Sequence, residues 1–344
     1  MIRDQASTSP PITHKQQDSL VLRLPSPHFK ATSDKTVLEF MDVAVKRLKD
    51  RNITNKEVGN TILELYAVLH LRRRQASAEQ WNQCIELVRQ HPIQTVIHED
   101  AFTRRAFEKP RGYAGDAPLL DHMYATEHFW PTPEMSWIGQ RIYRWTTLCS
   151  ACEGVKSRRQ VIAETIDATA QRHKDAQVMS LAAGHFREAE LSTSIIRRKL
   201  GRVIAIDSDP QSLQLIDKDY GRYGISTIHA TARELISGKM DLGEFDLVYT
   251  SGLCDYLGDS MCQRLALNLF RKLRPGGKLL LTNFLDNVEA VGYMEAFMDW
   301  NLIYRNRVQM MEMTSRIPER MIRNVSCFSE ENYNVIFLSI ERAW

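Results

Sequence analysis

The stretch VMSLAAGHFR at Val178–Arg187, followed by VIAID at Val203–Asp207, decides how this chain is read. A short apolar run meets a small-residue turn at Ala182-Ala183-Gly184, and a segment with helical spacing follows. A second apolar run then ends on an acid, Asp207. This is the strand–turn–helix–strand–acid order of a nucleotide-handling α/β unit. The turn lets backbone approach a ligand, and the carboxylate takes ribose hydroxyls.

Downstream the alternation continues. Strands are expected at Val178–Leu181, Val203–Ile206, Ser226–His229, Phe245–Tyr249 and Lys278–Thr282, with helical spacing over Phe186–Leu200, Pro210–Tyr220 and Ser260–Leu273. That repetition implies a doubly wound, parallel sheet with right-handed crossovers. Pro275-Gly276-Gly277 is expected as a tight turn. Two β-rich runs, Val325–Phe328 and Asn334–Ile340, predict a terminal hairpin that brings an antiparallel strand to the sheet.

Upstream, residues 1–33 are polar, proline-bearing and aperiodic, as in a flexible arm. Helical spacing begins at Asp34, with Val37, Met41, Ala44 and Leu48, then Val58, Ile62, Leu65 and Leu69, then Trp81, Ile85 and Val88. Arg72–Arg74 suits a helix C-terminus. The loop FEKPRGYAGD at Phe107–Asp116 packs glycines, a proline, an aromatic and charges between helices, as does an ordered loop that touches something. A helix is expected over Leu119–Thr126, a break at Trp130–Pro133, and a long helix over Glu134–His173. The division is thus an arm (1–33), a helical lid or substrate domain (34–173) and an α/β domain (174–344).

The 344 residues are 43% hydrophobic and 25% charged, with net charge +3, an ordinary globular balance that does not call for nucleic acid. No apolar run approaches the roughly 18 residues of a membrane span, and the first twenty residues lack a signal-peptide core. Six cysteines without framework spacing fit a reducing compartment, and the cytoplasm is expected. Cys149-Ser-Ala-Cys152 lies in a helical stretch without a second pair and reads as packing. The histidines show no metal-ligand spacing, so no metal is expected.

A dinucleotide fingerprint wants three glycines so that a diphosphate can approach. This loop has one, with His185 and Phe186 where the others would stand, which disfavours diphosphate and favours an adenosyl ligand without phosphates. Gly184, Asp207, Phe245-Asp-Leu-Val248 and Leu273-Arg-Pro-Gly-Gly-Lys-Leu279, in this order, resemble class I S-adenosylmethionine-dependent methyltransferases. Lys109–Asp116, Asp255-Tyr256-Leu257, Asn283-Phe284 and Met294–Arg305 further resemble the bacterial group that includes the 3-hydroxypalmitate methyl ester synthase of extracellular-factor quorum signalling. The resemblance implies a seven-stranded, mostly parallel Rossmann-like sheet under a helical lid, with S-adenosyl-L-methionine as cofactor. It places cofactor contacts at Tyr113, Asp116, Ala182, Gly184, Asp207, Ser208, Thr231, Ala232, Arg233 and Ser251.

Methyl transfer from a sulfonium is an in-line displacement, catalysed by positioning and desolvation. A carboxylate acceptor, with a pKa of about 4, is already ionised and needs donors rather than a base. A hydroxyl or ammonium acceptor needs a general base. Candidates at the carboxyl edge of the sheet are Tyr113, Asp255, Asn283, Tyr304 and Arg305 for catalysis, with Arg111, Tyr256, Glu295 and Trp300 for substrate. Arg111 or Arg305 suits a two-point hold on a carboxylate. Each has a plainer reading: Arg305 pairing with Glu295 or Asp299, Asp255 fixing the strand-four loop, Asn283 satisfying a turn, Asp116 ordering its own loop. Met294, Phe297, Met298 and Trp300 read as packing, or as the wall of an acyl pocket. The expected reaction is O-methylation of a fatty or other carboxylic acid. Its alternatives are N- or S-methylation of an amino-acid-like metabolite and a non-catalytic cofactor-binding module.

Overall fold

The computed structural model describes residues 33–124, 134–237 and 240–344. The arm expected over 1–33, apart from Ser33, and the break at Trp130–Pro133 lie outside these residues. Helices come first among the described residues: α1 (Asp34–Lys49), α2 (Asn55–Gln75) and α3 (Ala78–Gln90). Ser33, Thr54 and Ser77 start them, each with a reciprocal capping box that satisfies two exposed backbone donors. The residues picked out by three- and four-residue spacing are the ones these helices bury. Then follow α4 (Ile93–Ile97), α5 (Ala101–Glu108), α6 (Ala117–Tyr124), α7 (Trp137–Thr146) and α8 (Ser150–Arg172). The single long helix expected over Glu134–His173 is therefore two. Thr146 and Thr147 both turn their hydroxyls back onto the Tyr143 carbonyl, at 3.1 and 2.8 Å, and the chain bends there.

The sheet comprises β1 (Gln177–Leu181), β2 (Arg202–Asp207), β3 (Ile225–His229), β4 (Phe245–Thr250), β5 (Leu273–Phe284), β6 (Ile322–Ser329) and β7 (Val335–Arg342). Their order is β3-β2-β1-β4-β5-β7-β6, with β7 antiparallel to both neighbours, as the hairpin reading requires. This is the doubly wound, Rossmann-like sheet expected from the alternation. Pro275–Gly277 is a bulge inside β5 rather than a separate turn, where pairing with β4 shifts register between Phe245 and Leu247. Short helices α9 (Thr193–Ile196), α10 (Pro210–Tyr220), α11 (Ala232–Ile236), α12 (Asp259–Phe270), α13 (Val291–Phe297) and α14 (Arg307–Glu312) complete the chain. No helix among the described residues is long and apolar enough to cross a membrane.

Side chains alternate across the strands, so each face of the sheet has its own core. Val178, Ala205, Leu247, Leu280 and Phe337 join one cluster with the apolar stripes of α1, α2 and α3. Met179, Ile204, Val248 and Leu279 face the other way onto α12. The N-terminal helices thus share a continuous core with the sheet, and α13, which follows β5, crosses α2. At that crossing a Cβ on Gly292 would lie 2.6 Å from the Leu69 carbonyl carbon. Gly292→Ala should lower stability by about 1–3 kcal/mol in chemical denaturation, since rigid backbone must move. An unchanged midpoint would contradict this packing.

Candidate functional site

The loop after β1 enters the left-handed region at Ala182 (φ 54°), Gly184 (φ 53°) and Phe186 (φ 54°). Only one of the three is glycine, and the others carry strain of order 1–3 kcal/mol each. Surrounding contacts hold them there. The Gly184 N–H donates to Asp207 Oδ2 at 2.8 Å, and the Ala183 N–H donates to the Ile206 carbonyl at 3.1 Å. Phe186 is buried edge-on to Tyr220. His185 Nδ1 lies 2.5 Å from Asp121 Oδ2, and Arg187 donates to both Asp121 oxygens, at 2.8 and 3.1 Å. His185 and Phe186 are thus turned into packing.

The continuous helix expected over Phe186–Leu200 is not formed. A 3-10 turn at Arg187–Glu190 and the one-turn α9 replace it. Asp167 on α8 captures Ser192 Oγ, Thr193 Oγ1 and the N–H groups of Thr193 and Ser194, which competes with continuous helix. Among the described residues, no long helix therefore follows the loop with its N-terminus toward it, a second obstacle to diphosphate binding.

A pocket lies here, bounded by the loop, by Ala117, Leu120, Asp121 and Tyr124 of α6, and by Arg158, Ser180 and Ser251. Three residues assigned to cofactor, Ala182, Gly184 and Ser251, come together in its wall. Asp207 ends β2 beside them, accepting also the Asp209 N–H at 2.9 Å; burial raises its pKa above the usual carboxylate range. Two backbone donors leave lone pairs for a ribose diol. Small residues and this acid fit an adenosyl cofactor. Ser208 follows Asp207, its carbonyl 3.1 Å from His229 Nε2. Thr231, Ala232 and Arg233 stand after β3, but the Thr231 hydroxyl is spent on Glu234 in the cap of α11.

The Phe107–Asp116 loop closes over this edge. Arg111 donates to Asp209 Oδ2 at 2.6 Å and to Ser212 Oγ at 3.1 Å, so it docks the loop on α10 rather than facing a substrate carboxylate. Asp116 is fully buried, accepting from Arg105 at 2.6 and 3.0 Å and from the Leu119 N–H, so it orders the loop and is not open to a ligand ammonium. Tyr113 remains half exposed, edge-on to Tyr256 at 6.2 Å and within the field of Asp207. Gly115 passes so close to Tyr256 and Trp300 that a Cβ would lie 2.6 Å from each.

Beyond β5 the chain returns to the same edge, and several expected roles are corrected. Arg305 is 1% exposed, donating to the carbonyls of Cys254 and Leu257, to Asn283 Oδ1 and to Asp259. It pairs with Asp259 rather than Glu295 or Asp299, and has no free fork. Asn283 in turn donates to the Phe284 and Ile303 carbonyls and is a strut. Glu295 is held by Arg73 at 2.7 and 2.9 Å and by the Trp81 indole at 2.6 Å. Asp255 is buried and accepts the Phe284 N–H at 2.7 Å. Trp300 donates to the Tyr256 hydroxyl at 2.8 Å. The buried Tyr304 hydroxyl has no partner among the described residues, and Arg73 stands over its ring at 5.5 Å.

Two residues escaped the sequence reading. Arg73 was grouped with a helix-end basic patch. Arg158, 3% exposed on the pocket wall, sits between Val155 and Ile162 on the buried stripe of α8. A cation on an apolar stripe was the available signal.

Burial pushes the Asp255 pKa up to about 6, against the Phe284 N–H and the fields of Arg158 and Arg305. Its folded value exceeds the unfolded one of about 3.9. Its contribution to stability is therefore full below about pH 4 and lost as pH rises through about 6. The unfolding free energy of the wild type relative to Asp255→Asn should fall by about 2–3 kcal/mol between pH 4 and 7. A pH-independent difference would contradict the burial of this carboxylate.

Residues 188–281 match the family model described as a methyltransferase domain. No curated protein matches. Among solved structures, a possible exported protein from Bordetella parapertussis is similar over 93% of this chain and 99% of its own, at 13% identity and TM-score 0.53, a likeness of fold. A putative O-methyltransferase from Nostoc punctiforme PCC 73102 aligns over 71% of this chain and 72% of its own (13% identity, TM-score 0.44). The N-methyltransferase NodS from Bradyrhizobium japonicum WM9, in complex with S-adenosyl-L-homocysteine, aligns over 54% and 86% (12%, 0.40). The matched segment begins at Glu188 in the pocket wall and runs through Asp207 to β5. Residues 188–281 are thus similar to a methyltransferase domain, on a sheet with the fold of such enzymes, and S-adenosyl-L-methionine is the cofactor that goes with it.

Proposed function

We propose that this methyltransferase acts on a small acid with an apolar tail, transferring the methyl group to a carboxylate oxygen to form a methyl ester. The observation that carries the reading is a narrow apolar pocket walled by Tyr66, Phe102, Met294, Met298, Phe284 and Trp300 among others. It abuts a polar cluster, since Phe284 bonds Asp255 and Trp300 bonds Tyr256. The unpartnered Tyr304 hydroxyl lies within the fields of Asp255 and Tyr256. An apolar wall next to the Tyr256 and Tyr304 hydroxyls suits an acid whose tail packs on that wall and whose head is held by hydrogen bonds.

When bound, the cofactor supplies an electrophilic methyl group and leaves as a neutral thioether. The protein's part is positioning and drying. Asp207 and the loop at Ala182–Gly184 hold the adenosyl end. Tyr304 donates to one oxygen of the acceptor, leaving the other to attack, with Tyr113 and Tyr256 closing the edge. An ionised acid gives up no proton, so no base is required.

One observation favours a second reading. Asp255, with its pKa raised to about 6, is a group suited to take a proton from an ammonium or hydroxyl acceptor, as N-methylation of a metabolite would need. Incubation with methyl-labelled cofactor and a panel of fatty acids and polar amino acids separates the two. Label in esters of apolar acids is expected, and label confined to amino compounds would overturn the ester reading. Tyr304→Phe removes a buried hydroxyl that lacks a partner, so thermal stability should hold or rise while kcat/KM falls about 10-fold or more. Unchanged kcat/KM would remove Tyr304 from the site.

A further inference from the structure

Arg158 is a buried cation that forms no ion pair among the described residues. It is 3% exposed, in the middle of α8, and its side chain lies along Gly252, where a Cβ would be 3.2 Å from a guanidinium nitrogen. No acceptor among the described residues takes any of its N–H groups. The same pocket is also lined by Glu188, buried, with one oxygen bonded to the Tyr249 hydroxyl at 2.6 Å. Arg158 and Glu188 feel each other's field, yet no ion pair joins them within 4.0 Å. Asp255 and the Tyr124 phenol also lie in the field of Arg158, and neither is hydrogen-bonded to it.

A buried guanidinium is expensive unless its donors are satisfied. Here the donors stand on the wall of the pocket formed by the β1 loop and Ser251. A pocket whose wall carries both a guanidinium and a carboxylate that do not pair with each other is complementary to a zwitterion. The cofactor's amino-acid end is a zwitterion whose carboxylate is ionised above about pH 4. We propose that Arg158 is the carboxylate anchor of the cofactor's methionine end, with Glu188 on the ammonium side, so that the two charges which fail to pair with each other are bridged by the ligand. The planar fork of arginine allows a two-point hold that lysine does not.

Calorimetry on the full chain tests this without turnover. Three ligands are compared: S-adenosyl-L-homocysteine, its analogue with the amine retained and the carboxylate absent, and 5′-methylthioadenosine, which lacks the amino-acid end. The wild type should bind S-adenosyl-L-homocysteine at least about 10-fold more tightly than the carboxylate-free analogue. Arg158→Met should erase that preference, losing about 10- to 100-fold for S-adenosyl-L-homocysteine while keeping 5′-methylthioadenosine within twofold. Arg158→Lys should fall between, again with 5′-methylthioadenosine unchanged. Equal wild-type affinity for the first two ligands overturns the proposal whatever the variants do. Parallel loss of all three ligands in both variants also overturns it, because the residue is then structural. Unchanged S-adenosyl-L-homocysteine affinity in Arg158→Met, with a raised KM for the acceptor acid, would give the anion site to the acceptor and overturn the cofactor assignment.

Discussion

The site depends on one carboxylate, Asp121, which clamps helix α6 onto the loop after β1. Burial alone would raise its pKa. The hydrogen bonds from His185 and Arg187 outweigh that and hold it below the usual carboxylate range. Two consecutive problems are solved at once. Helix α6 becomes the roof of the pocket, and a loop with left-handed Ala182 and Phe186 is locked in place. Where a glycine-rich loop adopts such a shape freely, this one is held by tertiary contacts on both sides, from Asp121 above and Asp207 below.

A second anchor sits across the sheet. The buried Arg305 guanidinium ties the carbonyls after β4, the side chain of Asn283 on β5, and the exposed Asp259 at the start of α12 into one hub. That hub fixes the segment carrying Trp300 and Tyr304. The Phe107–Asp116 loop comes down on the same place, with Gly115 against Trp300 and Tyr256, and Arg111 on Asp209. Rigid charge pairs therefore frame the edge, while uncommitted groups remain inside it: the Tyr304 hydroxyl, the phenol of Tyr113 and the guanidinium of Arg158. This division accounts for why so many charged residues near the site are not themselves available to a ligand.

Periodic features were legible and long-range pairings were not. Apolar spacing located α1, α2 and α3 and all seven strands, because burial on one face imposes the period directly. It missed the breaks at Thr147 and Ser192, where hydroxyl and carboxylate side chains compete for backbone. The single glycine at Gly184 and the acid at Asp207 suggested an adenosyl site, and the structure brings the two together beside the pocket of the β1 loop. Arg111, Asp116, Glu295 and Arg305 read as ligand groups because their chemistry suits ligands. Their partners lie far away in sequence, as with Arg73 and Glu295, 222 residues apart, and nothing local announces such a pair. Arg158 was missed for the opposite reason: a charged residue in a helix resembles a solvated face unless its neighbours on the stripe are weighed.

We place the cofactor at the edge formed by the β1 loop, Asp207 and the α6 roof. A crystal structure of the chain with S-adenosyl-L-homocysteine tests this placement most directly. Ribose hydroxyls are expected within hydrogen-bonding distance of Asp207, with the amino-acid end enclosed beneath α6. Ligand bound away from Asp207, or an amino-acid end lying outside the pocket roofed by Ala117 and Tyr124, would contradict it.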